Sequence, residues 1–200
     1  MKKQLYSLLM ALALVVGFLP SAARAAEKAP SFADVPAAAW YADAVQYIYE
    51  RGLMTGVSES EFAPDGTATR GQIVTILWRL AGSPVVNYAM RYADVDEGAW
   101  YGEAVRWAAS AGVVTGYSES SFGPSDAITR EQLAAILYRY VKAQGQGFTG
   151  MWYFPLRYDD AASISDWADE AMHWCVMKGI INGTSETTLS PRATATRAQL

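Results

Sequence analysis

Thr69-Arg70-Gly71-Gln72 opens a run of apolar residues, and this four-residue signature recurs twice further along the chain. In each copy the Thr can cap a helix N-terminus and the Gln three residues later can complete a capping box, so a helix is predicted to begin at the Arg. The helix macrodipole disfavours a cation on this first turn and favours an anion beside it. An Arg repeated there three times therefore indicates a role, and binding of an anionic ligand is the first candidate. The later copies are Thr129-Arg130-Glu131-Gln132 and Thr196-Arg197-Ala198-Gln199, at offsets of 60 and 67 residues.

The signature is the last part of a longer repeat. Each copy opens with an Asp and continues through a Trp, a loop bounded by glycines and a Pro before it reaches the Thr-Arg pair. From Trp to Arg the spacing is 30 residues in all three copies, so this segment carries neither insertions nor deletions. The matching positions are Asp34, Asp94 and Asp160; Trp40, Trp100 and Trp167; Gly52, Gly112 and Gly179; Gly56, Gly116 and Gly183; and Pro64, Pro124 and Pro191.

Within each copy the apolar spacing predicts two amphipathic helices joined by a structured loop, and hence an all-α fold. Gly52 stands where a left-handed residue would end the first helix. Gly56 and its counterparts are expected to supply backbone angles that other residues resist. One copy has too little apolar surface for a core of its own, so the three copies are expected to pack into one domain. The predicted repeats are residues 26–81, 92–141 and 158–200, with polar connectors at 82–91 and 142–157.

Residues 1–25 have the pattern of a secretory signal peptide: Lys2 and Lys3, an apolar run from Leu8 to Leu19, and small residues before Ala26. No later run reaches the roughly 18 apolar residues of a membrane span. The whole chain has a net charge of −4, and it is more acidic without the signal peptide. This balance argues against nucleic acid as a partner. The sequence therefore predicts an exported protein whose attachment to a surface comes through binding.

Little in the sequence supports an enzyme or a metal protein. Cys175 is the only cysteine; it matches core positions of the first helix in the other copies and is expected to be buried and inert. With one histidine, and with carboxylates that follow the repeat instead of converging, no catalytic set is apparent. The loop carboxylates lack the alternating pattern of a calcium-binding hand, so neither a metal nor a cofactor is predicted.

The repeat resembles the S-layer homology family in the order and spacing of its motifs. The family pattern runs from Phe-x-Asp through a Trp and a Gly-x-x-x-Gly loop to Phe-x-Pro and a Thr-Arg-Ala-Glu-like signature. The likeness covers nearly everything from Ser31 to Leu200. Tyr92 and Tyr158 replace the opening Phe, and Gln replaces the usual Glu of the signature in all three copies. In the first copy the pattern is spelled Phe32-Ala33-Asp34, Trp40, Gly52 with Gly56, Phe62-Ala63-Pro64 and Thr69-Arg70-Gly71-Gln72.

The resemblance implies a three-lobed, all-helical domain with pseudo-threefold symmetry at the cell surface. Its grooves would hold a bacterial secondary cell-wall polysaccharide, often capped with a pyruvate ketal, and the carboxylate would meet Arg70, Arg130 and Arg197. Such a module would anchor an S-layer lattice or a C-terminal passenger domain. The chain stops at Leu200, where the second helix of the third repeat has just begun, so we expect that repeat to be incomplete and the protein to continue.

Each candidate site residue also has a structural interpretation. The three arginines could bond to the opening Asp or to loop carbonyls. Trp40, Trp100 and Trp167 could stack on a sugar ring, but they begin amphipathic helices and are expected on the core side. Gly56, Gly116 and Gly183 could admit a sugar close to backbone donors, and the opening aspartates are expected at helix entries or turns. Two functional alternatives stay open: a protein-interaction or self-assembly scaffold, and the anchor of a surface hydrolase encoded beyond Leu200.

Overall fold

The fold is helical, as predicted. The structure, a computed structural model, describes residues 32–150 and 154–200, so the predicted signal peptide lies outside the described residues. This part of the chain contains five α-helices and no β-strand beyond isolated bridges. The helices are α1 (Ala42–Glu50), α2 (Arg70–Leu80), α3 (Gly102–Ser110), α4 (Arg130–Ala143) and α5 (Asp169–Met177), with short 3₁₀ turns at Ala161–Ser163, Asp166–Ala168 and Arg197–Gln199.

Local capping interactions set the ends of these helices. Thr69 Oγ1 accepts the Gln72 N–H at 3.3 Å, and Gln72 Oε1 accepts the Thr69 N–H at 3.1 Å. The same box starts α4, and a third one starts the 3₁₀ turn at Arg197. The glycines that follow the first helices have φ between 64° and 68°. The predicted helix starts and left-handed glycines are therefore confirmed. These glycines are Gly52, Gly112 and Gly179.

In the first and second repeats, the second helix packs against the first helix of the next repeat. α2 contacts α3, and α4 contacts α5. Apolar side chains from different repeats therefore share one core; Val74 and Val105, for example, are fully buried in the same cluster. α1 differs, because Val45 is its only buried residue, whereas α3 buries five residues and α5 buries four. The repeats depend on one another for burial, as their size predicts.

Three extended segments, one from each repeat, meet at the centre of the domain. Ala68 N–H donates to Ala195 O at 2.9 Å, Ala195 N–H to Ile128 O at 2.8 Å, and Ile128 N–H to Ala68 O at 3.0 Å. All three residues are fully buried, and the bonds form a closed cycle. Each segment is extended because it leads into an N-cap residue, such as Thr69 with ψ of 160°. The cycle gives the domain its pseudo-threefold, three-lobed arrangement, which confirms the expected fold class.

Candidate functional site

The signature arginines join each repeat to the loop of the following repeat. Arg197 donates Nε–H to Phe62 O at 2.8 Å and Nη2–H to Thr55 O at 2.9 Å, which links the third repeat to the first. Arg70 bonds to the second loop and Arg130 to the third, and all three side chains are only 5–6% exposed. Bonding to loop carbonyls, one of the two structural interpretations, is therefore present. The equivalent bonds are Arg70 Nε to Phe122 O (2.9 Å), Arg70 Nη2 to Thr115 O (3.1 Å), Arg130 Nε to Leu189 O (3.0 Å) and Arg130 Nη2 to Asn182 O.

Each of these guanidinium groups keeps one nitrogen for another partner. In residues 32–150 and 154–200 no acceptor bonds to Nη1 of Arg197, and no side-chain nitrogen there is both buried and unbonded, so Nη1 touches solvent. Burial lowers the pKa of Arg197 from its ordinary value, and the Asp34 carboxylate opposes that shift. An anion near Nη1 would act in the same direction as Asp34 and stabilise the charged form.

The amides at the helix starts already donate to protein carbonyls. Arg70 N–H donates to Asp126 O at 3.0 Å, and Gly71 N–H donates to Pro124 O at 2.8 Å. Equivalent bonds hold the amides at the other two signatures. The amides of the first two residues at each helix start are therefore not open to an anion. Carbonyl oxygens of the next repeat accept the hydrogen bonds of these amides. Carbonyl oxygens in the same loop also accept the hydrogen bonds of the guanidinium group.

The opening aspartates hold the same loops from inside their own repeat. The Asp160 carboxylate accepts the Leu189 N–H at 2.8 Å and the Ser190 N–H at 2.7 Å. Asp34 and Asp94 accept the corresponding amides, Phe62 N–H and Phe122 N–H. The bonds from Leu189 and Ser190 lower the pKa of Asp160, while burial opposes the shift. All three aspartates lie in turns, as expected, and Asp160 also precedes the 3₁₀ turn at Ala161–Ser163; their carboxylates in addition contact a loop 28 to 30 residues later.

A cavity of about 430 Å³ lies where the three repeats meet. The first repeat supplies the loop around Gly56 and one face of α2, the second supplies Trp100, and the third supplies Arg197. Three predicted site residues therefore line one cavity. Arg79, which also lines it and donates Nη1–H to Leu53 O at 3.0 Å, was missed by the sequence analysis. The repeat pattern could have identified Arg79, because Arg139 occupies the matching position 60 residues later.

The three tryptophans are exposed, and their expected place in the core is wrong. Trp40 is 73% exposed, Trp100 58% and Trp167 55%. The next residue takes the inward position instead: Tyr101 packs against the core, and the Trp100 ring meets it edge-on with centroids 5.1 Å apart. Such a contact leaves a face of the indole open for stacking on another ring.

The glycines of the loop are required by space, and the expectation of special backbone angles is wrong for them. Gly56, Gly116 and Gly183 are absent from the positions with positive φ. A Cβ added to Gly56 would lie 2.5 Å from Ser58 O and 2.6 Å from Glu61 O. The other two glycines face backbone oxygens equally closely. Arg70 bonds beside Gly116 and Arg130 beside Gly183, so each signature Arg is joined to one of these loops.

Other chemical features of the described residues do not form a site. Cys175 is fully buried, as predicted, and that burial raises its pKa to about 12. Within residues 32–150 and 154–200, no cluster of three or more His, Cys, Asp or Glu side chains could hold a metal ion. No helix in the same part of the chain is long and apolar enough to span a membrane.

Comparison with known proteins agrees with this repeat architecture. The family profile for the S-layer homology domain matches residues 31–74, 91–134 and 157–200. The chain is similar to an amylopullulanase of Thermoanaerobacterium thermosulfurigenes, with 30% identity over 166 residues, which cover 80% of this chain and 8% of the relative. An endoglucanase of a Bacillus species is 29% identical over 205 residues, covering 98% of this chain and 21% of the relative. An S-layer protein of Bacillus thuringiensis subsp. finitimus is 28% identical over 194 residues, covering 95% and 22%. The chain thus spans less than a quarter of each of these relatives.

Proposed function

The chain belongs to the S-layer homology domain family, and from this premise we propose that it is a non-covalent anchoring module for the bacterial cell surface. The family and the similarity to S-layer proteins indicate a secreted, cell-surface protein held at the cell wall. The proposed ligand is an anionic secondary cell-wall polysaccharide that carries pyruvate ketals. The proposed binding sites are the grooves between repeats, which carry Arg70, Arg130 and Arg197.

The cavity at the junction of the repeats is the observation that carries this proposal. It combines an exposed indole, Trp100, with two cations, Arg79 and Arg197. A sugar ring presents an apolar face that an indole can stack on, and a ketal carboxylate is a ligand that guanidinium groups prefer. The cavity therefore offers both chemistries that an acidic saccharide needs. Its lining comes from three repeats, so the intact domain is required.

The two arginines have different tasks in this proposal. Arg197 is held by two loop carbonyls and offers only Nη1, so it fixes the cavity wall and adds one charged donor. Arg79 donates one hydrogen bond to a carbonyl, Leu53 O, and lines the same cavity. On a chain of net negative charge, such local cations select an anion by geometry more than by long-range attraction, which salt screens.

Binding to purified cell walls tests the proposal. The chain is incubated with walls that carry pyruvylated polysaccharide, and with the same walls after acid removal of the ketal. We expect binding to the first preparation and a large loss on the second. Arg79→Gln should weaken binding about 10- to 100-fold, as expected for a hydrogen bond to a charged group. Arg192→Gln, which removes the same charge from an exposed position, is the control.

Equal binding to both wall preparations would reject the anionic ligand. Trp100→Ala gives a second readout: the loss of one stacking contact should weaken binding by about 3- to 10-fold. If Trp100→Ala and Arg79→Gln bind as the unaltered chain does, the ligand is not held in this cavity. Binding that persists in wall-free extracts would favour the alternative of a protein-interaction or self-assembly scaffold.

We further propose that the anchored cargo is a segment outside this chain. Two relatives are named as hydrolases and one as an S-layer protein, and this chain matches only a minor part of each. The shared part is therefore the anchoring module, and the cargo is a hydrolase domain or an S-layer lattice. We assign no catalytic role to the described residues. Sequencing the gene on both sides of this segment would test whether it encodes such a cargo.

A further inference from the structure

The three loop glycines differ in what their backbone amides bond to. Gly116 N–H donates to the Tyr92 hydroxyl at 3.0 Å, and Gly183 N–H donates to the Tyr158 hydroxyl at 3.2 Å. The first repeat has Phe32 at the matching position, which carries no hydroxyl. Among the described residues, no atom accepts a hydrogen bond from the Gly56 N–H. One amide of the three is therefore left with an unused donor.

The rings of these three residues stand in the same place relative to their glycines. A Cβ built on Gly56 would lie 2.6 Å from Cε1 of Phe32, and the corresponding distances are 2.5 Å to Tyr92 and 2.7 Å to Tyr158. Phe32 and Tyr92 are also both buried. The hydroxyl group is thus one local difference between the first loop and the other two. A tyrosine at position 32 would place its hydroxyl beside the Gly56 amide.

The unused amide lies at the proposed ligand cavity. Gly56 lines the same cavity as Arg79, Arg197 and Trp100. Its backbone is fixed, because the Asp34 carboxylate holds the end of the loop and Arg197 bonds to the neighbouring Thr55 O. A fixed N–H in a cavity that two cations also line is a good donor to an anion, since no reorganisation is needed on binding.

We propose that the groove of the first repeat is the preferred binding groove, in which the Gly56 amide donates to a carboxylate of the glycan, and that the tyrosine hydroxyls occupy this donor in the other two grooves. This inference rests on the proposed function. It identifies Phe32 as the residue that determines which groove binds, although Phe32 itself is buried. It also predicts unequal grooves in a domain whose backbone is nearly threefold symmetric.

Two isosteric substitutions test the proposal. Phe32→Tyr adds the missing hydroxyl, and Tyr92→Phe removes the one beside Gly116. Titration calorimetry with soluble pyruvylated wall polysaccharide should show affinity reduced about tenfold or more in Phe32→Tyr, as expected when a bond to a charged group is lost. Tyr92→Phe should add binding capacity, seen as a larger number of occupied sites per chain. Thermal unfolding of each variant checks that the domain is still folded.

A direct measurement on the amides complements the titration. In ¹H–¹⁵N spectra of the free protein, the Gly56 amide should exchange with water faster than those of Gly116 and Gly183. Addition of the polysaccharide should shift the Gly56 resonance more than the other two. If Phe32→Tyr does not fold, the unaltered chain and Tyr92→Phe still decide the question through these shifts.

The outcomes separate this inference from the proposed function. If Phe32→Tyr is folded and binds as tightly as the unaltered chain, or if the Gly56 resonance does not move, the groove preference is wrong while the anchoring function stands. If the unaltered chain does not bind the polysaccharide at all, the proposed function is rejected and this inference is rejected with it.

Discussion

At the residue scale, the signature Arg is first a structural residue. Its side chain lies among backbone carbonyls, and its position on a helix first turn is tolerated because oxygen atoms of the next repeat surround it. At the loop of the second repeat, the Arg70 guanidinium also lies 4.4 Å from the centre of the Tyr117 ring. Any ligand contact of these arginines therefore uses only the nitrogen that the loop leaves open. We expect substitution of a signature Arg to destabilise the fold, in addition to any effect of the lost charge on ligand binding.

Substitution of loop glycines should separate crowding from backbone strain. In Gly116→Ala the new methyl group would meet the Ser118 and Ser121 carbonyls, so these backbone atoms must move. In Gly112→Ala nothing lies within 4 Å, and only the positive φ of 68° is unfavourable, at a cost of about 1–2 kcal/mol. We expect Gly116→Ala to be more destabilising by at least about 1 kcal/mol in urea unfolding, because backbone overpacking cannot relax easily. Equal losses of stability in the two variants would show that the loop backbone moves to accommodate the methyl group.

The opening aspartates should make stability depend on acid pH. The pKa of Asp160 is lower in the folded protein because Leu189 N–H and Ser190 N–H bond to the carboxylate. Its stabilising contribution is therefore complete above the unfolded pKa of about 3.9 and is lost as pH falls through the lower folded value. Asp160→Asn should have a reduced melting temperature at pH 7, and the gap to the unaltered chain should narrow below about pH 4. Melting curves that differ equally from pH 7 to pH 2.5 would contradict this role.

At the element scale, what could be predicted depended on how local the interaction is. The helix starts and the left-handed glycines follow from residues within four positions, so the capping box at Thr69 and the cap at Gly52 were predicted correctly. The partners of Arg197 lie 135 and 142 residues away, and no local pattern could identify them. The outward position of Trp100 was missed for a related reason, since the adjacent Tyr101 competes for the same core.

The cavity was predicted only in part. The repeat register singled out Gly56, Trp100 and Arg197, but it could not show that they come from three different repeats and meet at one cavity. Arg79 went unnoticed because a cation late in an amphipathic helix is typical of a solvated face. The difference between Phe32 and Tyr92 was visible in the sequence. Its consequence for the glycine amides required the structure.

Matched substitutions on the first helices should reveal how much each helix relies on its neighbour. Ala104 on α3 is fully buried beneath α2, whereas the matching Ala44 on α1 is exposed. Ala104→Leu should destabilise the domain by about 1–3 kcal/mol, because the extra atoms have no room. Ala44→Leu should change stability by no more than about 0.5 kcal/mol. Both substitutions replace one strong helix former with another, so the change in helix propensity is the same in the two variants. Similar losses in urea unfolding would mean that α1 is as closely packed as α3.

At the scale of the whole molecule, each loop is held by two repeats. Its own repeat supplies the opening Asp, and the preceding repeat supplies the signature Arg, with the third repeat acting on the first. The backbone cycle through Ala68, Ile128 and Ala195 couples all three at the centre. The geometry of one cavity therefore depends on residues throughout the chain. A single copy of the repeat would therefore not form this cavity, because residues of all three repeats line it.

Hydrogen exchange in an Arg197 variant should expose this coupling. Arg197→Lys keeps the charge, but a single ammonium group cannot reproduce the paired Nε and Nη2 bonds to Phe62 O and Thr55 O. We expect faster exchange of the amides in residues 54–63 of the first repeat, far from the substitution in sequence. Arg192→Lys, an exposed change in the same repeat, should leave those amides unaltered. Faster exchange confined to residues 190–200 would contradict the cyclic arrangement, because a third repeat that acts only on itself could not loosen the loop that lines the cavity.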